Sequence, residues 1–139
     1  ADLRYAAPNA KMSIMEIRWG LIPDLAISVT ASNLVREDVL RELAYTGRVV
    51  GGTEAMALGL VTAVHDDPLQ AARDTAKLIA SRSPDAIRAM KTLFNERRDL
   101  DAGRSLSLEA KLQSGIIGQP NQAEAVRANI EDREPDFGD

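Results

Sequence analysis

Two periodicities divide the chain. Leu3–Ala6 ("LRYA") and Lys11–Ile14 ("KMSI") alternate apolar and polar positions, as half-buried strands do. Between them "AAPNA" turns, since Pro8 fixes one φ angle and Asn9 suits a bend. A tight bend over Gly20–Asp24 ends this unit. From about Ser32 the period becomes helical: Val35, Val39, Leu40 and Leu43 share a face, and Thr46-Gly47 supplies a stop. Arg48–Val50 reads as a short extended piece before Gly51-Gly52. Thr53 is expected to cap a brief helix, "EAMAL", that ends at Gly59, and "LVTAVH" reads as a strand or extended exit.

Beyond that point the pattern is strongly helical. Asp67-Pro68 and Ser83-Pro84 each place a cap before a proline whose missing N–H costs nothing at the first helical position. Leu69, Ala72, Ala76 and Ile79 line one face of the first helix; Ile87, Met90 and Phe94 form the expected buried stripe of the second. Leu108, Leu112 and Ile116 mark a third. Asn121, with Glu124 three residues on, resembles a capping box for a fourth carrying Val126 and Ile130. The tail "EDREPDFGD" is expected to fray or to pack through Phe137 alone. The expected division is 1–66 and 67–139.

Composition narrows the function classes. A chain of 139 residues suits one domain, and a hydrophobic share of 45% is ordinary for a globular protein. Aromatics are only 4%, so close-packed alanine-rich helices are favoured over thick aromatic cores. The net charge of −4 is spread along the chain with no basic patch, which leaves nucleic-acid binding nothing electrostatic to rest on. With no cysteine there is no disulfide or thiolate chemistry, in keeping with a cytoplasmic location. No apolar run reaches the ~18 residues of a membrane span, and no secretory signal is expected. The start on Ala1, directly into a strand-like segment, points to a piece of a longer protein.

The chemistry-bearing residues are few. His65 is the single histidine and reads as a surface or strand-end residue; one histidine makes no metal cluster. "GRVVGG" lacks the spacing of the common phosphate-binding loops. Trp19 reads as core or as pocket lining. Glu16 and Asp24 remain, eight residues apart among Ile14, Ile17, Leu21 and Ile22. Glu16 reads as a strand-end residue, solvated or paired with Arg18, and Asp24 as a helix N-cap. Two carboxylates converging in an apolar pocket can also divide the work of proton transfer, one protonated and one ionised.

Four stretches carry a resemblance: "ADLRYAAPNAKMSIMEIRWGLIPD", "LAYTGRVVGGTEAMALGLVTAV", "SPDAIRAMKTLFN" and "EAVRANIEDREPDF". In this order they resemble the second half of the crotonase family, which contains enoyl-CoA hydratases and enoyl- and dienoyl-CoA isomerases. The resemblance implies an α/β fold, the C-terminal half of a ββα spiral followed by a helical region that builds trimers or hexamers. It implies acyl-CoA thioester substrates, with CoA part of the substrate, no further cofactor and no metal. Two backbone N–H groups would hold the thioester oxygen while carboxylates move protons at the acyl chain.

Residue by residue, Glu16 falls where hydratases carry the second of two catalytic glutamates. Asp24 falls where dienoyl-CoA isomerases carry an aspartate and most hydratases a glycine. Trp19, Leu21, Ile22 and Pro23, lying between the acids, are the candidate substrate-binding residues. The chain departs from the hydratase pattern at "DLAISVTASNLVR", where a glycine-rich stretch is usual and Ala26-Ile27 replaces a glycine pair. The family's first half, with the oxyanion donors, would precede Ala1, so the isolated chain is expected to lack efficient turnover. The alternative is a truncated, non-catalytic oligomerisation module.

Overall fold

The computed structural model describes residues 1–138. Packing divides the chain into two compact units, Ala1–Arg73 and the segment from Asp74 onward.

In the first unit the strands are short. β1 (Tyr5–Ala6) pairs in parallel with β4 (Ala63–Val64), Tyr5 opposite Ala63 and Ala6 opposite Val64. β2 (Lys11–Met12) runs antiparallel to β3 (Val50–Gly51), Lys11 opposite Gly51 and Met12 opposite Val50. Each strand is two residues long, and β1 and β2 are half the four residues that the alternation predicts. The Arg4 N–H goes to the Thr62 hydroxyl at 3.1 Å, and the Ala10 N–H closes a turn onto the Ala7 carbonyl at 3.0 Å. Pro8, inside that turn, has no N–H for a ladder.

Three helices complete the unit: α1 (Ile27–Thr30), α2 (Glu37–Thr46) and α3 (Gly52–Ala57). The helix expected from about Ser32 starts at Glu37, since the N–H groups of Leu34 and Val35 both turn back onto the Ala31 carbonyl. Its predicted stop holds: Gly47 adopts the left-handed conformation, φ 59°, and its N–H bonds the Leu43 carbonyl at 3.0 Å. Thr53 is not a cap. α3 starts two residues earlier than expected, after Gly51, and the Gly52 N–H is satisfied by the Pro8 carbonyl at 3.2 Å. A distant backbone carbonyl thus meets the first N–H of the helix, and no side chain caps it.

Ala6, Leu43, Val50, Ala55 and Val61 form the core, with Met12, Ile14, Val39, Leu58, Leu60 and Val64 packed around it. Leu43 and Val50 are its largest fully buried side chains. Burial of each is worth about 1.5–3 kcal/mol, so this core rests on medium-sized aliphatic residues. His65 lies exposed just past β4, its N–H on the Ala6 carbonyl and its ring 5.7 Å from that of Tyr5. A strand-end residue was expected there.

α4 (Pro68–Ala80) runs across the division between the units, followed by α5 (Pro84–Glu96), a 3-10 turn (Arg97–Asp99), α6 (Ala102–Ile116) and α7 (Pro120–Ile130). The caps follow the sequence for α4 and α5: the Asp67 carboxylate accepts from the Gln70 N–H and the Ser83 hydroxyl from the Ala86 N–H. Asp101 caps α6 through the Arg104 N–H at 2.8 Å, a start the sequence reading did not single out. The expected capping box of α7 is absent. Gln119 occupies the cap, Pro120 the first position, and Asn121 is buried within the helix.

Asn121 instead ties down the tail. Its amide donates to the Asp85 carboxylate and the Gly138 carbonyl, both at 2.9 Å, and accepts from the Gly138 N–H. Arg133 clamps Glu124 through both terminal nitrogens, at 2.6 and 3.1 Å, and the Asp136 N–H adds a bond to the same carboxylate. These hydrogen bonds, the Arg133 pair foremost, lower the Glu124 pKa from an ordinary 4.5 to about 2. The tail is therefore held by a polar network, not frayed or fastened by Phe137 alone. The expected buried stripe of α5 is also only partly covered, with Met90 and Phe94 largely exposed.

Candidate functional site

Glu16 opens a 3-10 turn, Glu16–Trp19, rather than ending a strand. The turn is closed by its own backbone: the Arg18 N–H bonds the Met15 carbonyl at 3.0 Å, the Gly20 N–H that of Ile17 at 3.0 Å and the Leu21 N–H that of Glu16 at 3.1 Å. Gly20 makes the closure in the left-handed conformation, φ 69°, which glycine adopts without the penalty other residues meet. A Cβ there would meet nothing within 4 Å, so torsion alone favours glycine at this position.

This turn rests on the end of α2. The Ser13 hydroxyl donates to the Gly47 carbonyl at 3.1 Å. Ile17 and Arg18 lie over the Gly47 α-carbon so closely that a Cβ would stand 2.9 Å from Ile17 Cγ2 and 3.3 Å from Arg18 Cγ. Arg18 is thus packed on Gly47 and makes no ion pair with Glu16 among the described residues. The next residue, Arg48, links α2 to α3 by bonding Glu42 at 2.6 Å and Glu54 at 2.7 Å. Those two carboxylates push the guanidinium pKa further up. Gly47 and Ser13 were not legible as site residues; the only signal was the helix stop.

Glu16 is half-buried, and its Oε2 is sealed from solvent with no protein hydrogen-bond partner among the described residues. Buried polar atoms are nearly always paired, and an exception calls for a cause such as local strain, a catalytic role, a bound water or an ion. Asp24 is exposed at the end of the irregular 21–24 segment. It is not a helix cap: α1 begins after Ala26, a non-glycine residue at φ 59°, with no side-chain cap at all. No hydrogen bond or ion pair joins Glu16 to Asp24 among the described residues.

The intervening candidates form an apolar edge. Trp19 is 78% exposed, Leu21 60% and Ile22 82%, with Pro23 half-buried. Trp19 is therefore not part of the core, since it is mostly exposed and lies outside the Leu43–Val50 cluster. Leu25 and Val29 extend the same exposed apolar run. Among the described residues no three His, Asp or Glu side chains gather where they could hold a metal ion. No described helix is long and apolar enough to cross a membrane.

Residues 1–139 match the family model for enoyl-CoA hydratase/isomerase. The crotonyl-CoA hydratase of Syntrophomonas wolfei is 30% identical over 98% of this chain and 53% of its own length. The mitochondrial methylglutaconyl-CoA hydratase of Homo sapiens is 28% identical over 98% of this chain and 42% of its own. The crystal structure of an enoyl-CoA hydratase from Bacillus anthracis superposes with a TM-score of 0.93 at 29% identity, covering 99% of this chain and 54% of that one. The enoyl-CoA hydratase of Mycobacterium tuberculosis H37Rv superposes at 0.91 and 26%, covering 99% and 56%. The chain thus spans about half the length of the curated relatives it matches, and its α-rich fold reproduces that half of a crotonase-like chain. With the family model matched from the first residue to the last, the chain belongs to the enoyl-CoA hydratase/isomerase family.

Proposed function

We propose that this chain supplies the proton-transfer half of an enoyl-CoA hydratase/isomerase site, acting on an acyl-CoA thioester with Glu16 as the principal acid/base and Asp24 as its partner. The observation that carries the reading is the sealed, unpaired Oε2 of Glu16. A carboxylate held this way has no partner to lose when substrate or water arrives. In hydration it would take a proton from water as oxygen bonds the β-carbon, and a proton would be delivered to the α-carbon. In double-bond isomerisation one carboxylate would remove a proton from one carbon and a carboxyl group would return one further along the chain.

Asp24 supports the second reaction, since it is exposed and has no capping task to explain it. Trp19, Leu21, Ile22 and Pro23 would meet the acyl chain between the two acids. The helices from Pro68 onward would serve self-association into a trimer or hexamer, a reading supported by the exposed Met90, Phe94, Leu106, Ile117, Val126 and Ile130.

The test uses the complete polypeptide that carries this chain, assayed on crotonyl-CoA, a 3-enoyl-CoA and a 3,5-dienoyl-CoA. Glu16→Gln keeps size and hydrogen bonding but cannot exchange a proton, and kcat should fall about a hundredfold or more on the substrate used best. Full activity in that variant would remove Glu16 from the mechanism. Asp24→Asn should depress isomerisation more than hydration.

A further inference from the structure

We infer that Gly47 is a positioning residue for Glu16, with the Ser13 hydroxyl as its second attachment. The inference rests on the reading of Glu16 given above. The Glu16 turn is closed internally by its own hydrogen bonds, so its place in the unit depends on what it rests upon. Two attachments are visible, and both converge on one residue. Ser13 Oγ reaches the Gly47 carbonyl at 3.1 Å from the amino-terminal side of Glu16. Ile17 and Arg18 cover the Gly47 α-carbon from the carboxyl-terminal side.

Gly47 meets two separate requirements. Its φ of 59° ends α2 and is open to glycine and, at small cost, to asparagine. Its missing side chain is a spatial requirement, because a Cβ would stand 2.9 Å from Ile17 Cγ2. That separation is several tenths of an ångström inside ordinary contact, and both neighbours are side-chain atoms of the 16–19 turn, so an added side chain presses on that turn unless Ile17 changes rotamer. Glu16 moves with the turn. Displacement of a proton-transferring group by about 1 Å can cost on the order of a hundredfold in rate. The helix-stop reading of Gly47 predicts something different: any residue at ease in the left-handed region would serve.

The experiment separates these in the complete polypeptide, with crotonyl-CoA as substrate and thermal melts confirming the fold. Gly47→Asn keeps the helix stop and adds a Cβ; kcat should fall ten- to a hundredfold while KM changes less than threefold. Ile17→Ala removes the methyl that the new Cβ would strike. The Gly47→Asn/Ile17→Ala pair should therefore recover at least tenfold relative to the loss that Gly47→Asn causes alone. If Gly47→Asn does not fold, Ser13→Ala tests the other attachment, with a three- to tenfold loss confined to kcat as the expected result. Retained kcat in the folded Gly47 variant, or a loss that Ile17→Ala does not relieve, overturns the inference. If Ser13→Ala is the folded variant in hand, unchanged kcat does the same. Glu16→Gln runs alongside: full activity there would refute the reading of Glu16 itself, a failure distinct from that of Gly47.

Discussion

Replacing Gly52 by alanine probes how the β1–β2 turn is locked to α3. Gly52 is buried, and a Cβ there would fall on the Ala7 carbonyl oxygen, 3.0 Å from the Ala7 carbonyl carbon and 3.2 Å from the Pro8 oxygen. All three atoms are backbone, so no side chain can swing aside. The Gly52 backbone lies outside the positive-φ region, which means that alanine's own torsions are allowed. On chain entropy alone the substitution would stabilise by about 0.7 kcal/mol. Against this stand overpacking of about 2 kcal/mol and the weakened Gly52 N–H to Pro8 bond, about 1 kcal/mol. The net expectation is a loss of about 2 kcal/mol. Gly115 is the internal control: it lies inside α6 with nothing within 4 Å of an added Cβ, so Gly115→Ala should stabilise by about 0.5–1 kcal/mol. Urea denaturation midpoints at unchanged slope read both effects. A Gly52→Ala protein as stable as the parent would show that the turn yields, and the steric argument would fail.

Glu16→Gln is expected to cost about a hundredfold or more in kcat, with Asp24→Asn weighted toward isomerisation; near-full activity of Asp24→Asn on both substrate types would leave Glu16 working without it. The Glu124 carboxylate, depressed to about 2 chiefly by its hydrogen bonds to Arg133, contributes stability that is full above its ordinary 4.5 and lost as pH falls toward 2. Protection of the Asp136 and Gly138 amides, taken relative to intrinsic exchange at each pH, should fall across that acid window, and Glu124→Gln should abolish the pH step; a step that survives belongs to another group. Arg48→Met should lower the melting temperature by releasing the link between α2 and α3, and added salt should narrow the gap to the parent protein. Light scattering at tens of micromolar should find an oligomer, and a clean monomer would count against self-association through the C-terminal helices.

The helical region was legible because its signals are local. Asp67-Pro68 and Ser83-Pro84 start helices by satisfying orphan N–H groups within one turn, and Gly47 ends one through its own torsion, so neither depends on distant chain. Glu16 and Asp24 were singled out as candidates by their spacing and the family resemblance. Partnership across the chain was not legible. β1 begins only at Tyr5, since the Arg4 N–H goes to the Thr62 hydroxyl. Thr53 lost its capping task because α3 starts before it, at Gly52, whose N–H meets the Pro8 carbonyl 44 residues earlier in sequence (positions 8 and 52). Asn121 fits a capping pattern by spacing, yet burial beside Asp85 and Gly138 directs its amide to the tail. Residue type and spacing determine which groups need a partner. Only the tertiary structure decides which partner arrives first, because a hydrogen bond or a contact at Gly47 depends on distances of a few tenths of an ångström that no periodicity encodes.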